Sequence, residues 1–301
     1  MDSLASAPDT SGELAEIVGL LRLEQLEVNM FRGRAVSDEP RRLYGGQVAA
    51  QALAAAGYTA AGTRAHSLHA YFLRPGDSSA PVVFDVEPLQ DGRTFRRRRV
   101  TAIQRGEAIL CLESSFTTDG TGTTDYPPPP EVPDPEDCPR YDHAGRAPAG
   151  RVSPWTLFEA RVAAGTGQPP GRSSGIPSDG IRPSAADMWF RLRAVAESEG
   201  IAGEAIITYL SDLTLAWSAS RPSARHPRGR PEITGMTSLD HSVWFHNPAD
   251  LSDWLLYAKV APVTGPVRGL TAGQIFDRRG VLVASVAQEC LAHSRGPGQS
   301  S

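Results

Sequence analysis

Two stretches of this chain read as helices with no polar face. The first, Leu43 to Thr59 (LYGGQVAAQALAAAGYT), opens on paired glycines and runs into Val48, Ala49, Ala50, Ala52, Leu53, Ala54, Ala55 and Ala56. The second, Glu204 to Trp217 (EAIITYLSDLTLAW), is mostly apolar, and beyond its first residue it holds one acid, Asp212. A helix that is apolar almost all round belongs in a core, wrapped by other structure. The fold must therefore enclose two helices.

Strand-like segments near each helix supply the wrapping. After the first come HSLHAYFL (His66–Leu73), PVVFDVEPL (Pro81–Leu89), TFRRRRVTAIQ (Thr94–Gln104) and AILCLESSF (Ala108–Phe116), with turns at Asp91–Gly92 and Arg105–Gly106. MWFRLRAV (Met188–Val195) precedes the second helix as a strand. TSLDHSVWFH (Thr237–His246), WLLYAKVA (Trp254–Ala261), VRGLTAGQIF (Val267–Phe276) and VLVASVAQECL (Val281–Leu291) come after it, with a last turn at Arg278–Gly280. The halves overlay: Tyr71–Pro75 falls on Trp244–Pro248, Gly106 on Gly280, and Tyr44–Gln47 on Tyr209–Asp212. That order of elements implies an internal duplication. A long helix held in a curved antiparallel sheet is the hotdog arrangement, so the expected fold is α+β, a tandem or double hotdog.

The expected organisation is a disordered tail over 1–12, an N-terminal hotdog over 13–120 that opens with a short amphipathic helix near Glu13–Leu23, a Pro/Gly-rich linker and loop over 121–183, a C-terminal hotdog over 184–294 and a disordered tail over 295–301. The linker begins with YPPPPEVPDPEDCP, Tyr126–Pro139. A net charge of -4 gives no reason to expect nucleic acid as a partner. Three cysteines, Cys111, Cys138 and Cys290, form no CxxC pair and point to a reducing compartment. The N-terminus lacks a basic region ahead of an apolar run, and no apolar run approaches the roughly 20 residues that cross a bilayer. The expectation is a cytoplasmic protein with no stable membrane insertion.

TSLDHSVWFHNP (Thr237–Pro248) places Ser238, Asp240 and His241 within four positions, which invites a Ser-His-Asp triad. On a regular strand Ser238 and Asp240 share a face and His241 points away, so Asp240 cannot orient His241 toward Ser238. No G-x-S-x-G elbow surrounds any serine. Asp240 and His241 are expected to hold local structure by hydrogen bonds. Asp212 is the more informative residue: a buried carboxylate costs several kcal/mol unless paired or hydrogen-bonded. It is read either as a structural group that satisfies backbone or as a general base.

Motifs spread over nearly the whole chain resemble the type II, TesB-like acyl-CoA thioesterases. They are FRG (Phe31–Gly33), YGGQVAAQAL (Tyr44–Leu53), HSLHAYFLRPGD (His66–Asp77), DGRTFRRRRVTAIQRG (Asp91–Gly106), YLSDLTL (Tyr209–Leu215), SLDHSVWFHNP (Ser238–Pro248), WLLY (Trp254–Tyr257) and GVLVASVAQE (Gly280–Glu289). The resemblance implies a double hotdog that hydrolyses acyl-CoA to free acid and CoA. It carries an Asp, a Ser or Thr and a Gln onto Asp212, Ser238 and Gln288, which together hold and activate a water. It also places His66 in the motif of the active cleft, and Arg98 and Arg99 where the family has arginines that suit CoA phosphates. Gly45, Gly46 and Gln47, at the entry of the first helix, are our candidates for the oxyanion donors. The overlay puts Gln47 on Asp212 and Ser114 on Gln288, so one active site per chain is expected. No metal or other cofactor is expected: His66 and His69 fall on opposite faces of a strand, with no third ligand at a sensible spacing. The alternatives are a non-catalytic acyl-CoA-binding module and another hotdog enzyme such as an enoyl-CoA hydratase. Because hotdog sheets often pair edge to edge, a homodimer or higher homo-oligomer is expected.

Overall fold

The computed structural model describes residues 19–35, 42–118, 125–141, 153–163, 187–193, 203–220, 233–265 and 267–294. The expected tails and much of the 140–183 loop lie outside the described residues. So does most of the Glu13–Leu23 helix, of which residues 19–20 are described as helical.

Thirteen strands form one antiparallel sheet. The first half contributes β1 (Glu24–Glu27), β2 (Met30–Gly33), helix α1 (Gly45–Tyr58), β3 (Arg64–Phe72), β4 (Val82–Asp91), β5 (Phe95–Gln104) and β6 (Glu107–Thr117). The second contributes β7 (Phe158–Ala163), β8 (Asp187–Leu192), helix α2 (Gly203–Asp212), β9 (Ile233–Ser238), β10 (Asp240–Phe245), β11 (Leu255–Thr264), β12 (Arg268–Asp277) and β13 (Leu282–Ser294). Strands run in the order β1-β2-β4-β5-β6-β3-β10-β13-β12-β11-β8-β7, with β9 also on β13. This is the double hotdog read from the sequence. No helix among the described residues is long and apolar enough to cross a membrane.

The halves meet where β3 pairs with β10. The overlay that puts Tyr71 on Trp244 also puts His69 on Ser242, and those two residues face each other in register. The seam is therefore centred on a pseudo-twofold axis, and His69 Nδ1 lies 3.1 Å from Ser242 Oγ there. Inside, Ala49, Ala50, Ala52, Ala55 and Ala56 of α1 are buried. Their small size lets α1 approach Phe84, Leu110 and Leu112 of the sheet closely, in one continuous core. Around α2 the core is aromatic, with Tyr209, Phe158, Phe190 and Tyr257 buried together.

Four local expectations fail. The helix read over Glu204–Trp217 ends at Asp212, because Leu213 N–H bonds back three residues to Leu210 O and tightens the turn; a 3₁₀ helix follows at Ala216–Ser220. The strand read over Thr237–His246 breaks at Leu239 into β9 and β10. Strands β1 and β2 were not evident in the sequence. The 121–183 linker contains β7 and a largely buried 3₁₀ turn, Pro154–Leu157. Its Pro-rich part is fastened to the second half: Trp189 Nε1–H donates to Pro133 O (3.0 Å), and Arg278 grips Glu136 with both terminal nitrogens at 2.9 and 2.7 Å.

The overlaid glycines Gly106 and Gly280 both adopt positive φ, at 83° and 87°. A Cβ on Gly106 would meet no atom within 4 Å, so only the backbone disfavours a side chain there. Gly106→Ala should lower stability by about 1 kcal/mol, measured by denaturant unfolding.

Candidate active site

Asp212 is the last residue of α2, Ser238 the last of β9, and Gln288 lies on β13. Three elements thus bring three side chains together. Gln288 Nε2–H donates to Asp212 Oδ1 at 2.9 Å, and Ser238 Oγ–H donates to the same oxygen at 3.2 Å. Gln288 Nε2 also contacts Ser238 Oγ directly. Gln288 is fully buried, Asp212 is 9% exposed and Ser238 half-buried. Both side-chain donors thus fall on one carboxylate oxygen, Oδ1.

Its other oxygen, Oδ2, receives no hydrogen bond from a described residue and faces the start of α1. A Cβ on Gly45 would lie 3.1 Å from Oδ2 and 2.9 Å from the Phe72 ring, so this close approach requires glycine. The first N–H groups of a helix have no partners within it, and they carry its positive end. Tyr44 fixes the juxtaposition: its OH donates to Tyr209 O at 2.6 Å, and the two rings meet edge to face.

The break at Leu239 sets the orientation of the opening motif. Ser238 pairs with Cys290 while Ser242 pairs with Ala287, a register shift of one residue. Asp240 fills the gap by accepting Glu289 N–H at 2.7 Å, and Leu239 N–H reaches Glu289 O. Asp240 therefore serves the backbone. His241, expected on the face away from Ser238, is instead fully buried beside the site, because the extra residue resets the alternation. Its Nε2 lies 2.7 Å from Ser211 Oγ. Burial pushes its pKa below the ordinary histidine value, against the opposing pull of Asp212, Gln288 and Asp240. His241 is the site residue that strict alternation missed, although it stood in the quoted motif.

The remaining candidates separate. Gly45 and Gly46 lie at the α1 N-terminus beside Asp212, whereas Gln47 Nε2–H is bound to Arg34 O at 2.9 Å. His66 does not line the cleft. A bulge between Ala65 and Ser67 turns it to the outer face, where it meets Ser115 Oγ at 2.8 Å, the Phe95 edge and Arg97. It therefore shares a face with His69. Arg98 uses all five N–H groups within the protein, on Thr59 Oγ1, Thr59 O, Gln90 O, Arg97 O and Asp91. It locks the C-terminus of α1, roughly 20 Å along a 14-residue helix from Asp212. Arg99 lies on the outside between Glu87 and Glu113. Neither arginine joins the Asp212 cluster. Cys290 is a buried thiol pushed up to about 11 by desolvation, which makes it packing and not a nucleophile. No cluster of metal-binding residues occurs among the described residues. Arg98→Met should cost roughly 3 kcal/mol of unfolding free energy by chemical denaturation, since it removes the five hydrogen bonds of a buried guanidinium.

Residues 37–118 match the family model described as acyl-CoA thioesterase N-terminal domain, and residues 135–292 the corresponding C-terminal domain. The chain is 34% identical to acyl-CoA thioesterase 2 of Haemophilus influenzae over 92% of this chain and 97% of that protein. It is 32% identical to acyl-coenzyme A thioesterase 8 of Rattus norvegicus, over 97% and 93%. Among solved structures, the TesB protein of Mycobacterium avium subsp. paratuberculosis is similar with a TM-score of 0.73 at 35% identity, covering 93% of this chain and 99% of that one.

Proposed function

The chain belongs to the acyl-CoA thioesterase family and hydrolyses acyl-CoA thioesters to free acid and coenzyme A; from that premise we propose that Asp212, Ser238 and Gln288 hold and activate the attacking water. The observation that carries this reading is the convergence of Gln288 and Ser238 on one oxygen of the Asp212 carboxylate. Gln288 and Ser238 occupy Oδ1 and leave Oδ2 to take the water's proton. The water oxygen attacks the thioester carbonyl carbon, and negative charge develops on the carbonyl oxygen. The N–H groups of Gly45 and Gly46, which have no acceptor among the described residues, stabilise that charge. The C–S bond then breaks and the electron pair leaves on sulfur. An ordinary thiol has a pKa of about 8.5, so the thiolate departs without a strong general acid. The proton held by Asp212 passes to solvent or to the product thiolate. Ser238 is an orienting hydroxyl and forms no acyl intermediate.

Asp212→Asn should lower kcat by ~10²–10⁴-fold with the fold intact, read as release of free CoA thiol from a panel of short, long and branched acyl-CoAs. Undiminished turnover in that variant would sink the mechanism.

The reading extends to a cytoplasmic homo-oligomer acting in lipid metabolism. Three free cysteines suit a reducing compartment. Tyr71 and Trp244, equivalent across the seam, are exposed on the outer face, as side chains covered by a second copy would be. Sedimentation velocity should show a dimer or larger; a single species of monomer mass would remove the oligomer.

A further inference from the structure

Two buried polar atoms at the site lack a hydrogen-bond partner among the described residues: Gln288 Oε1 and His241 Nδ1. Each such atom costs on the order of 1–3 kcal/mol, so a pair of them in one cluster calls for an account. The hydrogen placement around Ser211 supplies one. Ser211 Oγ lies 2.9 Å from Thr208 O and 2.7 Å from His241 Nε2, and it has one hydrogen to give. If that hydrogen goes to Thr208 O, His241 must carry its proton on Nε2. Nδ1 is then a bare lone pair in the interior, beside a second bare acceptor on Gln288. If Ser211 donates to Nε2, the imidazole proton sits on Nδ1. Thr208 O still has the Asp212 amide, four residues on, as its helical donor. Nδ1–H can then serve Gln288 Oε1, and neither of the two orphaned atoms is left over.

Resting on the hydrolytic reading above, we propose that His241 is a positioning residue for the reaction. In its Nδ1–H tautomer it binds Gln288 Oε1 and fixes the carboxamide with its NH₂ toward Asp212 and Ser238. The direction matters because the two ends of the amide differ. With Oε1 turned toward Asp212, acceptor would face acceptor and Oδ1 would lose a donor. The chain of hydrogen bonds runs from Ser211 to His241, from His241 to Gln288, and from Gln288 to Asp212 and Ser238. The groups around the ring agree. Gln288 raises its pKa, as do the charged groups Asp212 and Asp240, and burial outweighs them and keeps it neutral. Tyr257, which donates to Ser211 O at 2.8 Å, is held as an uncharged phenol by burial and by Asp212. A neutral imidazole can orient the amide without placing a second buried charge beside the base.

The test uses two amide replacements. His241→Asn places an N–H donor near the Nδ1 position, whereas His241→Gln reaches only toward the Nε2 position and Ser211. Loss of orientation should lower kcat of His241→Gln by about 10²-fold with KM nearly unchanged, while His241→Asn should keep kcat within roughly tenfold of wild type. Equal kcat for the two folded variants would overturn the proposal. Asp212→Asn in the same assay separates the two readings. If it is inactive while the His241 variants match, only the role of His241 falls. If it stays active, the water-activation reading itself falls. Should either variant fail to fold, ¹⁵N NMR of the wild-type imidazole decides. A pyrrole-type Nδ1 and pyridine-type Nε2 at His241 are expected, and the reverse tautomer overturns the proposal.

Discussion

Everything at the site depends on the antiparallel seam between β3 and β10. It joins two half-sheets that would each expose an edge, and its register is centred on His69 and Ser242, which are equivalent in the duplicated sequence. Once the seam is fixed, the pseudo-twofold axis runs between the helices, and the N-terminus of α1 meets the last turn of α2. Tyr44 and Tyr209, also equivalent, touch there. The consequence is chemical. A helix start, with its first N–H groups, comes from one half, and the carboxylate, hydroxyl and amide come from the other. Neither half could assemble the site alone.

A buried carboxylate imposes the second constraint. In the proposed mechanism water must reach Asp212, yet the rest of the group must be held by donors or its burial would be prohibitive. Gln288 and Ser238 meet both needs because they are neutral. An arginine or lysine at Gln288 would pair with the carboxylate tightly and weaken it as a base. A neutral amide and a hydroxyl donate to one oxygen and leave the second available. The groups that make the buried acid tolerable are thus the ones that aim it. Glycine at position 45 completes the arrangement, since any side chain there would press on Oδ2 and on Phe72.

The large features were legible in the sequence. Helices without a polar face announced a wrapped core, and Asp212 stood out as an acid where apolar residues were required. The errors about which way side chains face came from one assumption, that side chains alternate without interruption along a strand. It failed twice, at Leu239 in the second half and at His66 in the first, and the overlay shows these to be the same position. One irregularity, inherited by both copies, turned His241 inward and His66 outward against expectation. A bulge is set by register with the neighbouring strand, here β13 or β6, and single-strand periodicity carries no trace of it. Arg98 misled for a related reason: its motif suited an anion, but all of its partners are backbone and side-chain groups brought to it by the fold. Strand β7 was hidden because its six residues lie in a Gly/Pro-rich region and gain their partners from β8.

The duplication also explains why the proposed mechanism draws its reacting side chains from one half. The positions equivalent to Asp212, Ser238 and Gln288 are Gln47, Ala65 and Ser114. Gln47 donates its amide N–H to Arg34 O, an acceptor shared with Gln51, and so ties the segment after β2 onto α1. A carboxylate at position 47 would set acceptor against acceptor at that carbonyl. Ala65 offers no hydroxyl, and Ser114 is buried but too short to span the gap that Gln288 bridges. The first half has committed the corresponding place to holding its own chain together. What it contributes to the proposed mechanism is the one thing a structural helix provides at no extra cost: a glycine-led N-terminus, aimed across the seam at Asp212.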